Sequence, residues 1–177
     1  MFQSVTPRTA GFNTTDLTRL SETGILVMIL LMLVGGSPGS TAGGMKTTTV
    51  AVLFASAVSV FRKKEYAHFF GRRIQEDSLK NASTIMMMYL VLFLGGGMMI
   101  SSIDGIPLLE ALFETSSAIG TVGLSLGITP ELSGISHAIL IGLMFFGRVG
   151  GLTLIFAALA EKRSGNARLP QEKITVG

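Results

Sequence analysis

The chain has 177 residues, of which 48% are apolar and 14% charged, with 22 Gly, no Cys and a formal net charge of +3. An average soluble domain carries about 25% charged residues, so a surface wetted on all sides is disfavoured, and the lack of Cys excludes disulfide, Cys-ligated zinc and thiolate chemistry. The basic residues lie mainly in loops between apolar stretches, which fits a lipid surface and no nucleic-acid partner.

Residues 1–15 are polar, hold Pro7 and Gly11, and predict a loop; Met1 is followed by neither the basic flank nor the apolar core of a leader. An apolar run over 24–34 predicts a helix of about 16 Å, too short to cross a bilayer. Gly35-Gly36-Ser37-Pro38-Gly39-Ser40-Thr41-Ala42-Gly43-Gly44 cannot continue as an ordinary helix. A second short apolar run follows over 47–61. Neither half spans alone, so the expectation is one crossing broken in its middle. Irregular backbone at that depth is tolerated only inside protein or beside a water-filled cavity.

Residues 62–81 hold Arg62, Lys63, Lys64, Arg72, Arg73 and Lys80 among aromatic residues and predict an amphipathic connector at a membrane surface. Residues 85–103 predict a full span. Pro107 then opens a short helix over 108–119, too short to span, which leads into Gly120-Thr121-Val122-Gly123-Leu124-Ser125 and reads as a re-entrant helix plus loop. The last span is predicted over 138–160 and a polar tail over 161–177. Connector and tail hold ten of the fourteen Lys and Arg, whereas 104–136 holds none and carries Asp104, Glu110, Glu114 and Glu131. The positive-inside rule puts the connector and the tail in the cytoplasm and both Gly-centred loops outside, in a multi-pass membrane protein.

The two loops repeat each other. Thr9-Ala10-Gly11-Phe12-Asn13 aligns with Thr121-Val122-Gly123-Leu124-Ser125, and 24 residues separate Gly11 from Gly35 as they separate Gly123 from Gly147. Gly43-Gly44 then corresponds to Gly150-Gly151 with five extra residues before it, an insertion in the first helix alone. The organisation is therefore loop and broken helix (1–61), connector (62–81), then helix, pore helix, loop and helix (82–160), and tail (161–177). That is about one and a half copies of a two-helix-plus-pore-loop unit in an all-α integral membrane protein.

On these motifs the chain resembles the Ktr/Trk/HKT superfamily of potassium transporters. Thr6-Pro7-Arg8-Thr9-Ala10-Gly11-Phe12-Asn13-Thr14 is similar to the third filter of that family. Residues 35–47 resemble its intramembrane gating loop, and Gly147-Arg148-Val149-Gly150-Gly151-Leu152-Thr153 its last pore helix. The tail from Leu169 to Gly177 is similar to the Ktr branch. Thr121-Val122-Gly123 also repeats the opening of a potassium-channel filter before diverging to Leu-Ser.

The resemblance implies a pore-forming subunit for potassium uptake, with four units in one polypeptide. The first two units and the start of the third have no counterpart here, so the chain is expected to be the C-terminal part of a longer subunit, inert unless the rest is supplied. Potassium would be cargo and sodium a coupling ion, with no covalently bound cofactor. The implied partners are membrane lipid, a second copy of the subunit and a cytosolic nucleotide-binding regulatory subunit.

A potassium ion sheds water only where other oxygens replace it, and rings of backbone carbonyls do so. The candidate ion-binding residues are Thr9, Ala10, Gly11, Phe12 and Asn13, with Thr121, Val122, Gly123, Leu124 and Ser125. The candidate gate is Gly35, Gly36, Ser37, Pro38, Gly39, Ser40, Thr41, Ala42, Gly43 and Gly44, with Lys46 and Arg148. An Arg so deep in a span is a functional-site hypothesis by default; Arg148 is expected to bond carbonyls of the broken helix and to repel cations from a closed path. Glu110 and Glu114, at i and i+4, are expected to buttress the filter or attract cations. His68 and His137 are too isolated for a metal site.

Beside an inert C-terminal fragment, two rival readings remain. Residues 39–47 nearly spell a P-loop, but Met45 separates the second Gly from Lys46, which the motif does not allow. A sodium-selective or unselective transporter of the same fold is the other; Gly at both filter centres favours potassium.

Overall fold

The computed structural model describes residues 2–14, 16–64, 66–69 and 72–149. The predicted tail, Gly150 and Gly151 and the last part of the final span lie outside the described residues.

The sequence reads residues 1–15 as loop, but Phe2–Val5 form a short helical turn, α1, which Thr6 extends by donating its N–H to the Phe2 carbonyl at 3.1 Å. The first apolar helix, α2, spans Glu22–Leu33 and is capped by Ser21, whose hydroxyl accepts from the Gly24 N–H at 3.2 Å. It buries Ile25, Met28, Ile29, Met32 and Leu33 and exposes Leu26, Val27 and Leu30 on its other face.

The chain leaves α2 at Val34 and returns at Met45, where the two residues form a parallel bridge. Gly35 N–H donates to the Met45 carbonyl at 2.7 Å, Met45 N–H to Leu33 at 3.1 Å and Thr47 N–H to Gly36 at 3.2 Å. Residues 35–44 are thus an excursion stapled at its base, and α3, Thr47–Phe61, resumes beyond it.

The connector is not one amphipathic segment. His68–Phe69 (β1) pairs antiparallel with Arg72–Arg73 (β2), and Arg73 lies over the Tyr66 ring at 3.4 Å from its centroid. Helix α4, Glu76–Asp104, begins well before the apolar run, because Glu76 and Asp77 favour a helix N-terminus and add polar turns. Among the described residues α4 is the one helix long and apolar enough to cross a bilayer by itself. Met87, Val91, Leu94 and Met98 line up at helical spacing on its exposed side. On the packed side Gly96 and Gly97 let Leu143, Leu112 and Thr115 close in.

Helix α5, Leu108–Ile119, is the centre of the structure. It packs against α2, α4 and α6, and every residue from Phe113 to Ile119 is buried. Helix α6, Gly134–Val149, crosses its end, with Gly147 set directly on the Ile119 carbonyl, where a Cβ would not fit. A short helix whose C-terminal half is buried against three others is held in place by packing, and so is the start of the loop that follows it.

Candidate functional site

Helix α5 ends at Gly120, and the chain turns through Thr121, Val122 and Gly123. Thr121 N–H donates to Ala118 at 3.0 Å and Val122 N–H to Ser117 at 2.9 Å, so the loop is tied to the carbonyl, negative end of the helix. In this loop Thr121 has φ 52° and Gly123 φ 87°; in the first loop Thr9 has φ 66° and Gly11 φ 69°. Ala10 and Val122, between them, are on the negative side. A β-branched residue with positive φ is a genuine outlier, and here two occur at matched repeat positions. Alternating handedness is a backbone pattern in which successive carbonyls can face one side instead of alternating as along a strand.

The two loops touch. A Cβ on Gly11 would collide with the Val122 carbonyl oxygen and lie 3.7 Å from Gly123 Cα. Gly123 has nothing within 4 Å of its own Cβ position. The two glycines therefore differ: at Gly11 both φ and space exclude a side chain, at Gly123 only φ does. The Thr6 hydroxyl donates to the Phe12 carbonyl at 2.6 Å and closes the first loop.

Glu114 supports the second. It is 4% exposed. Its Oε1 accepts from Ser125 Oγ at 2.7 Å and Leu126 N–H at 3.0 Å, and its Oε2 from Thr129 Oγ at 2.8 Å. Among the described residues Glu110 enters no such network. Glu114→Ala should lower the thermal unfolding midpoint, since each donor left buried and unpaired costs about 1–3 kcal/mol. Glu114→Gln, which keeps one acceptor oxygen, should lower it less; an unchanged midpoint in Glu114→Ala would show that the carboxylate is not what holds the loop.

The excursion 35–44 lies against this loop. Gly43 N–H donates to Thr121 Oγ at 3.2 Å. Lys46 Nζ donates to the carbonyls of Ser40 at 2.9 Å and Ala42 at 2.6 Å, and Arg148 Nη1 to Thr41 at 2.6 Å. Three successive carbonyls are thus held by two cationic side chains, one just ahead of α3 and the other near the end of α6. Arg148 also lines a cavity of about 530 Å³ with Thr121, Val122, Gly123, Leu124 and Met144. Ser37, Pro38 and Gly39 are at the exposed tip of the excursion. The bond through Thr121 Oγ was not legible in the sequence, where Thr121 offered only its carbonyl, and the second bond of Lys46 was equally hidden. His68 sits in β1 and His137 bonds Ser133, far apart along the fold; no metal-ligating cluster occurs among the described residues.

The chain matches the TrkH family, described as cation transport proteins, over residues 1–168. It is 40% identical to the potassium/sodium uptake protein NtpJ of Enterococcus hirae, over 99% of this chain and 40% of that protein. It is 38% identical to the Ktr system potassium uptake protein B of Bacillus subtilis, over 99% of this chain and 39% of that one. The crystal structure of the potassium transporter TrkH from Vibrio parahaemolyticus shares the fold, with a TM-score of 0.76 at 22% identity over 88% of this chain and 36% of that one. The chain therefore spans about two fifths of the length of the curated relatives it matches. These relatives are transporters rather than enzymes, and the all-α fold is that of a membrane protein. By its sequence, this chain belongs to the TrkH family of cation transport proteins.

Proposed function

We propose that these residues form two adjacent filter loops and the gate of a pore that takes potassium ions up across the plasma membrane. One observation carries the reading. Two loops far apart in sequence share the same alternating backbone handedness and lie in contact, Gly11 against the Val122 carbonyl. A β-branched residue with positive φ is costly, and a carbonyl-lined ion site would account for its recurrence at matched positions of the two loops.

The topology follows from charge. The basic strand pair precedes the N-terminal end of α4, whereas Ser133, after the second filter loop, bonds Asp104 at the C-terminal end. The two ends of one spanning helix thus separate a basic side, facing the cytoplasm, from an acidic side carrying the filters outside. The partners proposed are lipid, a second copy of the subunit and a cytosolic nucleotide-binding subunit docking on the basic side. Sodium is proposed as a coupling ion, in keeping with the name of the Enterococcus hirae relative.

The test is selectivity. Gly123→Ser places an L-residue at φ 87°, where the left-handed conformation costs about 1–2 kcal/mol, and so disturbs the neighbouring carbonyls. In the intact transporter the potassium-to-sodium flux ratio should fall. An unchanged ratio at normal expression would remove Gly123 from the filter.

A further inference from the structure

The Thr121 side chain is engaged in a way the transport reading does not use. Its hydroxyl belongs to the filter loop, yet it accepts a hydrogen bond from the Gly43 N–H of the excursion, 78 residues away in sequence. The fit is close: a Cβ on Gly43 would press on the Thr121 hydroxyl, lie 2.8 Å from its methyl and 3.0 Å from the Gly120 carbonyl oxygen. Gly44 packs in turn against Gly120 Cα at 3.5 Å from its own Cβ position.

The chemistry of this contact opposes a cation. A hydroxyl oxygen is a good ligand for a dehydrated monovalent cation, which needs oxygen atoms in direct contact. Here an N–H turns its positive end toward that oxygen, and Gly43 fills the space beside it. The loop also brings Lys46 and Arg148 with it, bound to the carbonyls of Ser40, Thr41 and Ala42. A cation reaching Thr121 Oγ from that side would meet an N–H dipole, an occupied space and two fixed positive charges.

We propose that Thr121 Oγ is a shared ligand, taken by the Gly43 N–H when the excursion is closed and by the permeating cation when it is open. The two states exclude each other, so the ion opens its own gate: a ligand that binds one of two states better shifts the population toward it. Thr9, the matching residue of the first loop, lies in the unit whose own helix carries the excursion, so the coupling is one-sided and runs through the second loop alone.

The inference rests on the transport reading, and the experiment separates the two. These 177 residues contain no native thiol to compete, so Ala42→Cys, half-buried beside Gly43, reports loop opening through its modification rate by a charged methanethiosulfonate. The rate is measured on the intact transporter in vesicles, in potassium and in an impermeant organic cation, with rubidium uptake followed in parallel. Modification should be several-fold faster in potassium. Adding Thr121→Val should make it fast in both solutions, because the acceptor that holds Gly43 is gone. Adding Thr121→Ser, which keeps the hydroxyl, should preserve the potassium step. Rubidium uptake with no potassium step in the Ala42→Cys protein would overturn the shared-ligand proposal and leave transport standing. So would a potassium step that survives Thr121→Val. Absence of rubidium uptake in the unsubstituted protein would sink the transport reading, and this proposal with it.

Discussion

Gly11→Ala should abolish rubidium uptake while the protein is still made and inserted. Two costs coincide at this position. The backbone sits at φ 69°, where an L-residue pays about 1–2 kcal/mol. The added methyl would also collide with the Val122 carbonyl oxygen, and overpacking typically costs about 1–3 kcal/mol more. The damage goes beyond stability, because the atom that must move is a proposed ion ligand of the other loop. Displacing it leaves an incomplete oxygen shell, and an ion that has shed water without full replacement faces a barrier rather than a site. Gly95→Ala is the control. Gly95 lies within α4 with nothing within 4 Å of its Cβ position, and Ala is better than Gly in a helix by about 1 kcal/mol. Uptake should be unchanged in that variant. If Gly11→Ala, expressed normally, also transported at the original rate, the two loops would not be sharing an ion.

The contrast between these two glycines shows what could be read from the sequence and what could not. The bounds of α3 and α5 were legible because Gly and Pro punctuate them: Gly43-Gly44 ahead of Thr47, Pro107 ahead of Leu108, Gly120 after Ile119. The break after α2 was legible because no helix accommodates that density of Gly with a Pro. The pairing of Gly11 with Gly123 came from equal spacing to the next Gly. The start of α4 was missed by nine residues, since polar helical turns outside a membrane carry no apolar period. The β1–β2 pair was missed because two-residue strands offer no alternation to detect. Contacts between distant segments divide in the same way. The Arg148 bond to Thr41 could be anticipated from the cost of leaving a deep guanidinium without acceptors. Nothing comparable points to Thr121, a residue as content in a turn as in a gate. The network around Glu114 falls between: the carboxylate was conspicuous, but its partners Ser125 and Thr129 were two hydroxyls among many.

Arg148→Ala should raise rubidium flux. Its guanidinium donates to the Thr41 carbonyl at 2.6 Å, a charge-assisted bond worth about 1.5–3 kcal/mol. If the closed excursion loses that much relative to the open one, its closed-to-open ratio falls by about tenfold to a hundredfold, since each 1.4 kcal/mol is a factor of ten. The charge itself acts in the same direction. A fixed positive group beside the path repels a cation, so its removal favours entry as well as opening. Arg148→Lys separates the two effects, because it keeps the charge but lacks the planar fork; its flux should fall between those of the original protein and Arg148→Ala. Lys46 provides the internal comparison. It holds the adjoining carbonyls of Ser40 and Ala42 from the other flank, so Lys46→Ala should also raise flux. The double substitution should exceed either single one by more than their combined effect, because each clamp alone still holds part of the same loop. Flux unaltered in Arg148→Ala at normal expression would make the residue a packing clamp, and the excursion would then need another explanation for the three carbonyls held by two cations.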